Sequence, residues 1–284
     1  MKESQQLKER QPRQEGRFYP SGKEEMIRQI LAIEQADRFP VEAMDEARIL
    51  GSILPHAGHM YSGYQTIPFF QMLRSSPELP STFVILHPNH SGRGEPLVID
   101  EADYWLNSLG RVAADRSFAE SLDLPFSDTG RIREHSAEVI LPFMQYYLSG
   151  FDFSIVPLCM RDQSHENARE VAERIYNSSC RLKREVILIA SCDFSHFLPP
   201  EEGKRRDQLL IDQIMKRQSS MVEQVVISNH LSVCGYGPVM VLMEYAELMD
   251  PSYKVRVLAR GHSGEVIPSP EVVDYVSMLF YSAS

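Results

Sequence analysis

Glu185-Val-Ile-Leu-Ile-Ala190, followed at once by Ser191-Cys-Asp-Phe-Ser-His196, is the stretch on which the reading of this chain turns. An unbroken apolar run bounded by charge on one side and small residues on the other is short for a helix. It is also too uniformly apolar for a sheet with one wet face, and reads as a strand covered on both sides. Arg48-Ile-Leu-Gly-Ser-Ile-Leu54 and Thr82-Phe-Val-Ile-Leu86 have the same character. Between such runs the apolar residues recur at helical intervals. Helices are predicted at 64–73 (where Pro68 is best tolerated if it falls in the first turn), 137–148, 165–177, 202–216 and 239–248, and further strands at 96–99, 151–158, 253–259 and 272–280. A helix also follows Ser21-Gly-Lys-Glu24, a capping-box spacing ahead of Met26, Ile27, Ile30 and Leu31.

Strands alternating with helices along the whole length predict one α/β domain, three layers deep, with a central mixed, largely parallel sheet and helices on both faces. The last two strands, close together with no long helix between them, predict an antiparallel pair. The domain is expected over 16–284. Residues 1–15, rich in Gln and mixed charge and lacking the apolar stretch of a signal peptide, read as a loosely ordered tail.

Composition narrows the function. The chain has 284 residues, 43% apolar and 24% charged, which is ample for a large core. Its 29 basic against 39 acidic residues leave a net charge of −10, a field that repels phosphate backbones, so no nucleic-acid partner is expected. No apolar run is long enough to span a bilayer, so no membrane is expected either. Four cysteines without a CxxC pair suggest reduced thiols and a cytoplasmic setting.

The chemistry sits where the strands end. Pro55-His56-Ala-Gly-His59-Met-Tyr-Ser-Gly63 follows the first apolar strand, His87-Pro-Asn-His90-Ser-Gly92 the second, and Ser191-Cys192-Asp193-Phe-Ser-His196 the third. Open α/β sheets bind ligands in the crevice beyond the carboxyl ends of their strands, so His56, His90 and His196 can converge there. Val233-Cys234-Gly-Tyr-Gly-Pro238 precedes the 239–248 helix, where the helix dipole favours a thiolate. Glu134-His135-Ser-Ala-Glu138 opens the 137–148 helix. Taken singly, each has a plainer reading. A histidine near a turn is usually just hydrogen-bonded, Cys234 could be a small buried hydrophobe, and Cys159, Cys180 and Cys192 read as inert thiols.

Six ordered motifs together resemble the Memo family, which includes protein B of the AmmeMemoRadiSam system. They are Arg17-Phe-Tyr-Pro20, His56-Ala-Gly-His-Met-Tyr-Ser-Gly63, Pro88-Asn-His-Ser-Gly92, Glu134-His-Ser-Ala-Glu138 with Leu141-Pro-Phe143, Asp193-Phe-Ser-His196 and Cys234-Gly-Tyr-Gly-Pro238. The resemblance is nearly end to end. It implies a fold similar to class III extradiol dioxygenases, which use non-haem iron(II), and a metal site of two His and one Cys. Those ligands map onto His56, His90 and Cys234, with iron(II) the first expectation and copper or zinc accepted by the same donors. His196 matches the dioxygenases' acid/base histidine and Asp193 accompanies it, as a loop cap, as support for His196 or as a fourth ligand. His59, His87, Glu134, His135 and Glu138 are candidates to support the ligands. Three positions depart from the family pattern: His87 stands where Gly is common, His59 where Tyr is common, and Ile140 where many members carry a polar residue.

Two classes of function follow. One is a metal-dependent oxidoreductase acting on a small molecule, with His196 moving a proton. The other is a module that keeps a metal site but binds a peptide or partner and catalyses nothing. The resemblance implies the A-type and radical-SAM proteins of an AmmeMemoRadiSam system as partners.

Overall fold

Val84 and Leu86 are buried in one apolar core, Phe83 and Ile85 in another, and this alternation along a single strand sets the architecture. In the computed structural model, which describes residues 7–41, 47–76, 78–129 and 134–283, the chain opens with β1 (Glu9–Arg10), α1 (Lys23–Gln35), β2 (Ala47–Leu54), α2 (His59–Ser75) and β3 (Thr82–Pro88). Short elements follow: β4 (Leu97–Asp100), β5 (Tyr104–Asn107), β6 (Gly110–Ala114), α3 (Arg116–Ser121) and β7 (Phe126–Ser127). A 3-10 turn at Glu138–Ile140 leads into α4 (Leu141–Tyr147), β8 (Ser154–Met160), α5 (His165–Leu182) and β9 (Val186–Ser191). The remainder is β10 (His196–Leu198), α6 (Pro200–Met215), α7 (Ser219–Ser228), α8 (Tyr236–Met249), β11 (Lys254–His262) and β12 (Val272–Ala283).

One mixed sheet runs in the order β1-β5-β6-β8-β3-β9-β2-β12-β10, with β11 on β12, β4 on β8 and β7 on β4. Its centre, β6-β8-β3-β9-β2, is parallel throughout. β11 and β12 form the antiparallel pair read from the sequence. Residues from α3, α5, α6, α7 and α8 pack with Val84, Leu86, Leu188 and Ala190 on one face, while α1, α2 and α4 pack with Phe83, Ile85, Ile187 and Ile189 on the other. This is the three-layer α/β/α domain expected. Among the described residues no helix is long and apolar enough to cross a membrane.

The register decides where the site lies. Leu54 of β2 pairs with Ser191 of β9, and Leu86 of β3 with Ala190. The carboxyl ends of three adjacent parallel strands therefore emerge side by side, and the loops after them share one edge of the sheet.

Several local expectations are corrected. The second helix starts at His59, so Pro68 lies well inside it, where its ring removes one backbone donor. Burial of Ile67, Phe69, Phe70 and Leu73 offsets that loss, since each fully buried side chain of this size is worth about 1.5–3 kcal/mol. Ser21 does not cap α1. Gly22 is the N-cap, at φ 106°, and no side chain caps it.

Of the segment read as a loose tail, 1–6 lie outside the described residues. The next part is docked: Glu9–Arg10 pairs in parallel with Tyr104 and Trp105. Arg10 is 6% exposed, ion-paired to Asp100 at 3.0 Å and stacked 4.0 Å above the Trp105 ring. The partner of that arginine is 90 residues away in the chain, so local composition could not reveal it.

Candidate metal centre

His56 stands two residues beyond the end of β2, His90 two beyond β3, and Cys234 just before α8. Their ligand atoms all lie within 4.8 Å of one another, and Cys234 Sγ is 3.3 Å from His56 Nε2. An ion bound at about 2.0–2.3 Å from each donor fits a cluster of that size. The helix places Cys234 from behind. Gly235 lets the α8 loop pack directly on β9's exit, since a Cβ there would stand 2.2 Å from Ser191 O and 2.8 Å from Cys192 Cβ.

Both imidazoles are held from their far side. His56 Nδ1 is 2.7 Å from Ser191 Oγ, and that hydroxyl donates its only proton to the Ser136 carbonyl at 2.8 Å. The hydroxyl must therefore accept from His56 Nδ1–H, which leaves Nε2 as a lone pair facing Cys234. His90 Nδ1 donates to Glu134, 3.1 and 3.2 Å from its two oxygens, which leaves Nε2 as the nitrogen a metal ion could take, by displacing the proton that Cys234 and Glu134 favour on the ring. A second group of donors, His90, Glu134 and His135, also lies within 4.8 Å, and the His135 ring stacks on His90 at 4.8 Å. Glu134, however, is committed as an acceptor. It takes the amides of His90, His135 and Ser136 at 2.7–2.9 Å and the Ser136 hydroxyl at 2.7 Å.

The charges agree with that geometry. Burial alone would push the Glu134 carboxyl up, but hydrogen bonds from His90 and Ser136 and the nearby imidazoles hold it well below the usual carboxylate range. Burial opposes a charge on His90, yet Cys234 and Glu134 outweigh it and raise that imidazole. Burial, with the contact to Cys192, pushes the Cys234 thiol up to about 12. A metal ion binding here displaces that proton.

The remaining sequence candidates fall in different places. His87 is fully buried, and burial lowers it to about 4, so it stays neutral. Its Nδ1 lies 3.2 Å from Ser136 Oγ, behind the Glu134 carboxylate. His59 is likewise buried and lowered to about 4, but it bonds the Val139 carbonyl at 2.7 Å and packs on Phe143, away from the three ligands. Glu138 accepts the amides of Arg13 and Gln14 and the Tyr19 hydroxyl, so it anchors the N-terminal segment.

Asp193 and His196 are not partners of one another. Asp193 Oδ1 accepts the His56 amide at 2.8 Å, so the carboxylate ties the β9 loop to the β2 loop. His196 Nδ1 instead meets the Ser232 carbonyl at 2.8 Å, which makes it the donor and leaves Nε2 free. The loop after β9 and the loop before α8 run alongside one another, bonded at Asp193–Cys234 and again at His196–Ser232. Ser191, Ser136 and Ser232, which orient the histidines, were not singled out from the sequence. The signal was faint: two of them sit inside quoted motifs, and serine is common in such loops.

The family model described as Memo-like protein matches residues 10–279. The chain is similar to a MEMO1 family protein of Archaeoglobus fulgidus, 35% identical over 274 residues, covering 95% of this chain and 99% of the relative. A MEMO1 family protein of Pyrobaculum aerophilum is 34% identical over 285 residues, covering 97% and 100%, and one of Thermotoga neapolitana 35% over 284, covering 95% and 99%. Among solved structures, an uncharacterized protein of Escherichia coli K12 shares the fold at a TM-score of 0.52 and 13% identity, covering 81% of this chain and 99% of that one.

Proposed function

The chain belongs to the Memo-like family, and on that premise we propose that it is a metal-dependent oxidoreductase whose His56, His90 and Cys234 hold non-haem iron(II), or copper or zinc in its place. The observation that carries the reading is the pair of fixed imidazoles. Ser191 and Glu134 hold His56 and His90 by Nδ1, so that each ring has its Nε2 left for an ion, that of His56 3.3 Å from the Cys234 thiol. Two nitrogens and one soft sulfur are a donor set that iron(II), copper and zinc all accept. When bound, iron(II) or copper would supply Lewis-acid and one-electron chemistry toward a catechol-like substrate and dioxygen, and zinc the Lewis-acid part alone.

The chain's own residues do the rest. His196 Nε2, left bare by the bond to Ser232, accepts or returns a proton beside the Cys234 loop. Asp193 keeps the β2 and β9 loops together so that the ligands do not drift apart. The reading includes a reducing, cytoplasmic setting, in which the Cys234 thiol stays unoxidised and can give up its proton to a metal ion.

One observation favours a second reading, a non-catalytic module for a small molecule, peptide or partner. Phe197, next to His196, is 70% exposed and held at φ 57°, a backbone region that bulky residues rarely adopt. The A-type and radical-SAM proteins of an AmmeMemoRadiSam system are the partners proposed, on the resemblance alone. The experiment is metal analysis of protein purified without chelator, then anaerobic iron loading and oxygen uptake with a panel of catechols. Uptake that depends on iron supports the enzyme, and tight iron without uptake on any catechol supports the module.

A further inference from the structure

Cys192 lies directly behind the proposed metal-ligating thiol. Cys192 Sγ donates to the Asp193 carbonyl at 3.3 Å, and Cys234 Sγ lies 3.5 Å from the same oxygen. The two sulfurs thus crowd one acceptor, which also takes the Cys234 amide at 3.3 Å. Asp193 N donates to Cys234 Sγ at 3.2 Å, so the segments carrying the two thiols are bonded to one another. The close approach of Gly235 to Cys192 Cβ leaves no side chain between them. Their burial differs: Cys234 is only partly buried as a residue, whereas Cys192 is wholly buried. A partly exposed thiol backed by a sheltered one, with the His56 Nε2 lone pair 3.3 Å away to take its proton as the sulfur attacks, is the arrangement in which the first meets an oxidant and the second resolves it.

We infer that Cys192 is the resolving thiol for Cys234, so that a peroxide closes the pair into a disulfide and withdraws the sulfur ligand from the metal site. The chemistry balances in two steps. Cys234–SH and hydrogen peroxide give Cys234–SOH and water, with the sulfur oxidised and the O–O bond reduced. Cys192–SH then attacks the Cys234 sulfur, the S–O bond breaks, and the hydroxyl leaves as water with the Cys192 proton. Among the described residues the other two thiols have no such neighbour: Cys180 is exposed and Cys159 is buried elsewhere. The loss of metal rests on the reading of Cys234 as a ligand, whereas the disulfide does not.

The test is peroxide treatment of the full-length, metal-free protein, followed by alkylation without reductant, peptide mapping and zinc(II) titration against a chromogenic chelator. The expected product is a Cys192–Cys234 cross-linked peptide whose mass is lower by two hydrogens. With it, zinc(II) affinity should fall more than about 100-fold, beyond the 10–100-fold typical of losing a supporting group. Dithiothreitol should restore both. In Cys192→Ser no cross-link forms. Its Cys234 is trapped by dimedone and proceeds to the sulfinic acid, so zinc(II) binding is lost irreversibly. Absence of the cross-link in the wild-type protein, or equal and irreversible loss of binding in both proteins, overturns the inference. A cross-link that leaves zinc(II) affinity unchanged removes Cys234 from the ligand set and with it the metal-release step, while the disulfide stands.

Discussion

Ser191 Oγ donates to the Ser136 carbonyl at 2.8 Å, and through that one bond the supports of both candidate ligand histidines, His56 and His90, become a single network. Ser191 receives His56, and Ser136 sends its hydroxyl to the Glu134 carboxylate that receives His90. Fixing the far nitrogen of an imidazole fixes which nitrogen can ligate.

Replacing Ser191 with Ala therefore removes the acceptor of His56 Nδ1–H. Metal affinity should fall about 10–100-fold, the usual effect of losing such a partner. The unpaired buried N–H should cost about 1–3 kcal/mol of stability. Competition titration and urea unfolding measure the two. Unchanged affinity would mean that something other than Ser191 sets the His56 tautomer.

His196→Ala separates proton transfer from metal binding. Nε2 of His196 is uncommitted and the residue is not in the cluster of three ligands. Bound metal should persist while iron-dependent oxygen uptake drops about 10²–10⁴-fold, the range for one acid/base group. Loss of metal together with uptake would make His196 a ligand.

A buried carboxyl pair should shape the pH profile of stability. Asp207 and Asp274 are 0% and 2% exposed, and among the described residues the Oδ2 of each has no hydrogen-bond partner. Burial raises Asp207 to about 6, against the Ser195 bonds and the charges of Arg260 and His196. Burial, then Asp207 itself, raises Asp274 to about 7, with Glu265 adding and Arg260 opposing. The folded chain thus holds protons that the unfolded chain, with a carboxyl near 3.9, has released. That stabilisation is complete below the unfolded value and is lost as pH rises through about 6 to 7. Unfolding free energy should fall between pH 5 and 8 by a few kcal/mol, as an order of magnitude. Asp207→Asn, which keeps an acceptor for Ser195 and offers a donor to Asp274, should flatten the decline. Urea titrations at both pH values decide it, and a slope identical to that of the wild-type protein would refute the assignment.

Gly51 sits in β2 between β9 and β12. A methyl there would stand 2.3 Å from Leu188 O and 2.6 Å from Leu242 Cδ1, the first a backbone atom of the central sheet. Gly51→Ala should destabilise by about 3 kcal/mol, the upper part of the range for overpacking. Thermal denaturation is the measurement, and a loss below about 1 kcal/mol would show that the strand can shift aside.

Much of this molecule was legible in one dimension. The strand at 185–190 and its two companions were readable because burial on both faces leaves an unbroken apolar run. The clustering of the candidate ligands was readable because His56, His90 and Cys234 each adjoin an element boundary, and parallel strands deliver such boundaries to one edge. The likeness of the six motifs to the Memo family carried the choice among the nine histidines.

Tertiary structure alone decided the rest. His56 and Ser191 are 135 residues apart, Ser191 and Ser136 are 55 apart, and Arg10 and Asp100 are 90 apart. Hydrogen bonds of that reach leave no periodicity and no local composition to read. Asp193, three residues from His196, was the natural neighbour on the chain, yet the fold gives Asp193 to the His56 amide and His196 to the Ser232 carbonyl. Sequence determined which elements form and which chemistry-bearing side chains reach the crevice, because apolar periodicity and strand ends are local properties. Only the packed sheet determined which donor faces which acceptor there, because that depends on the register between strands distant in the chain.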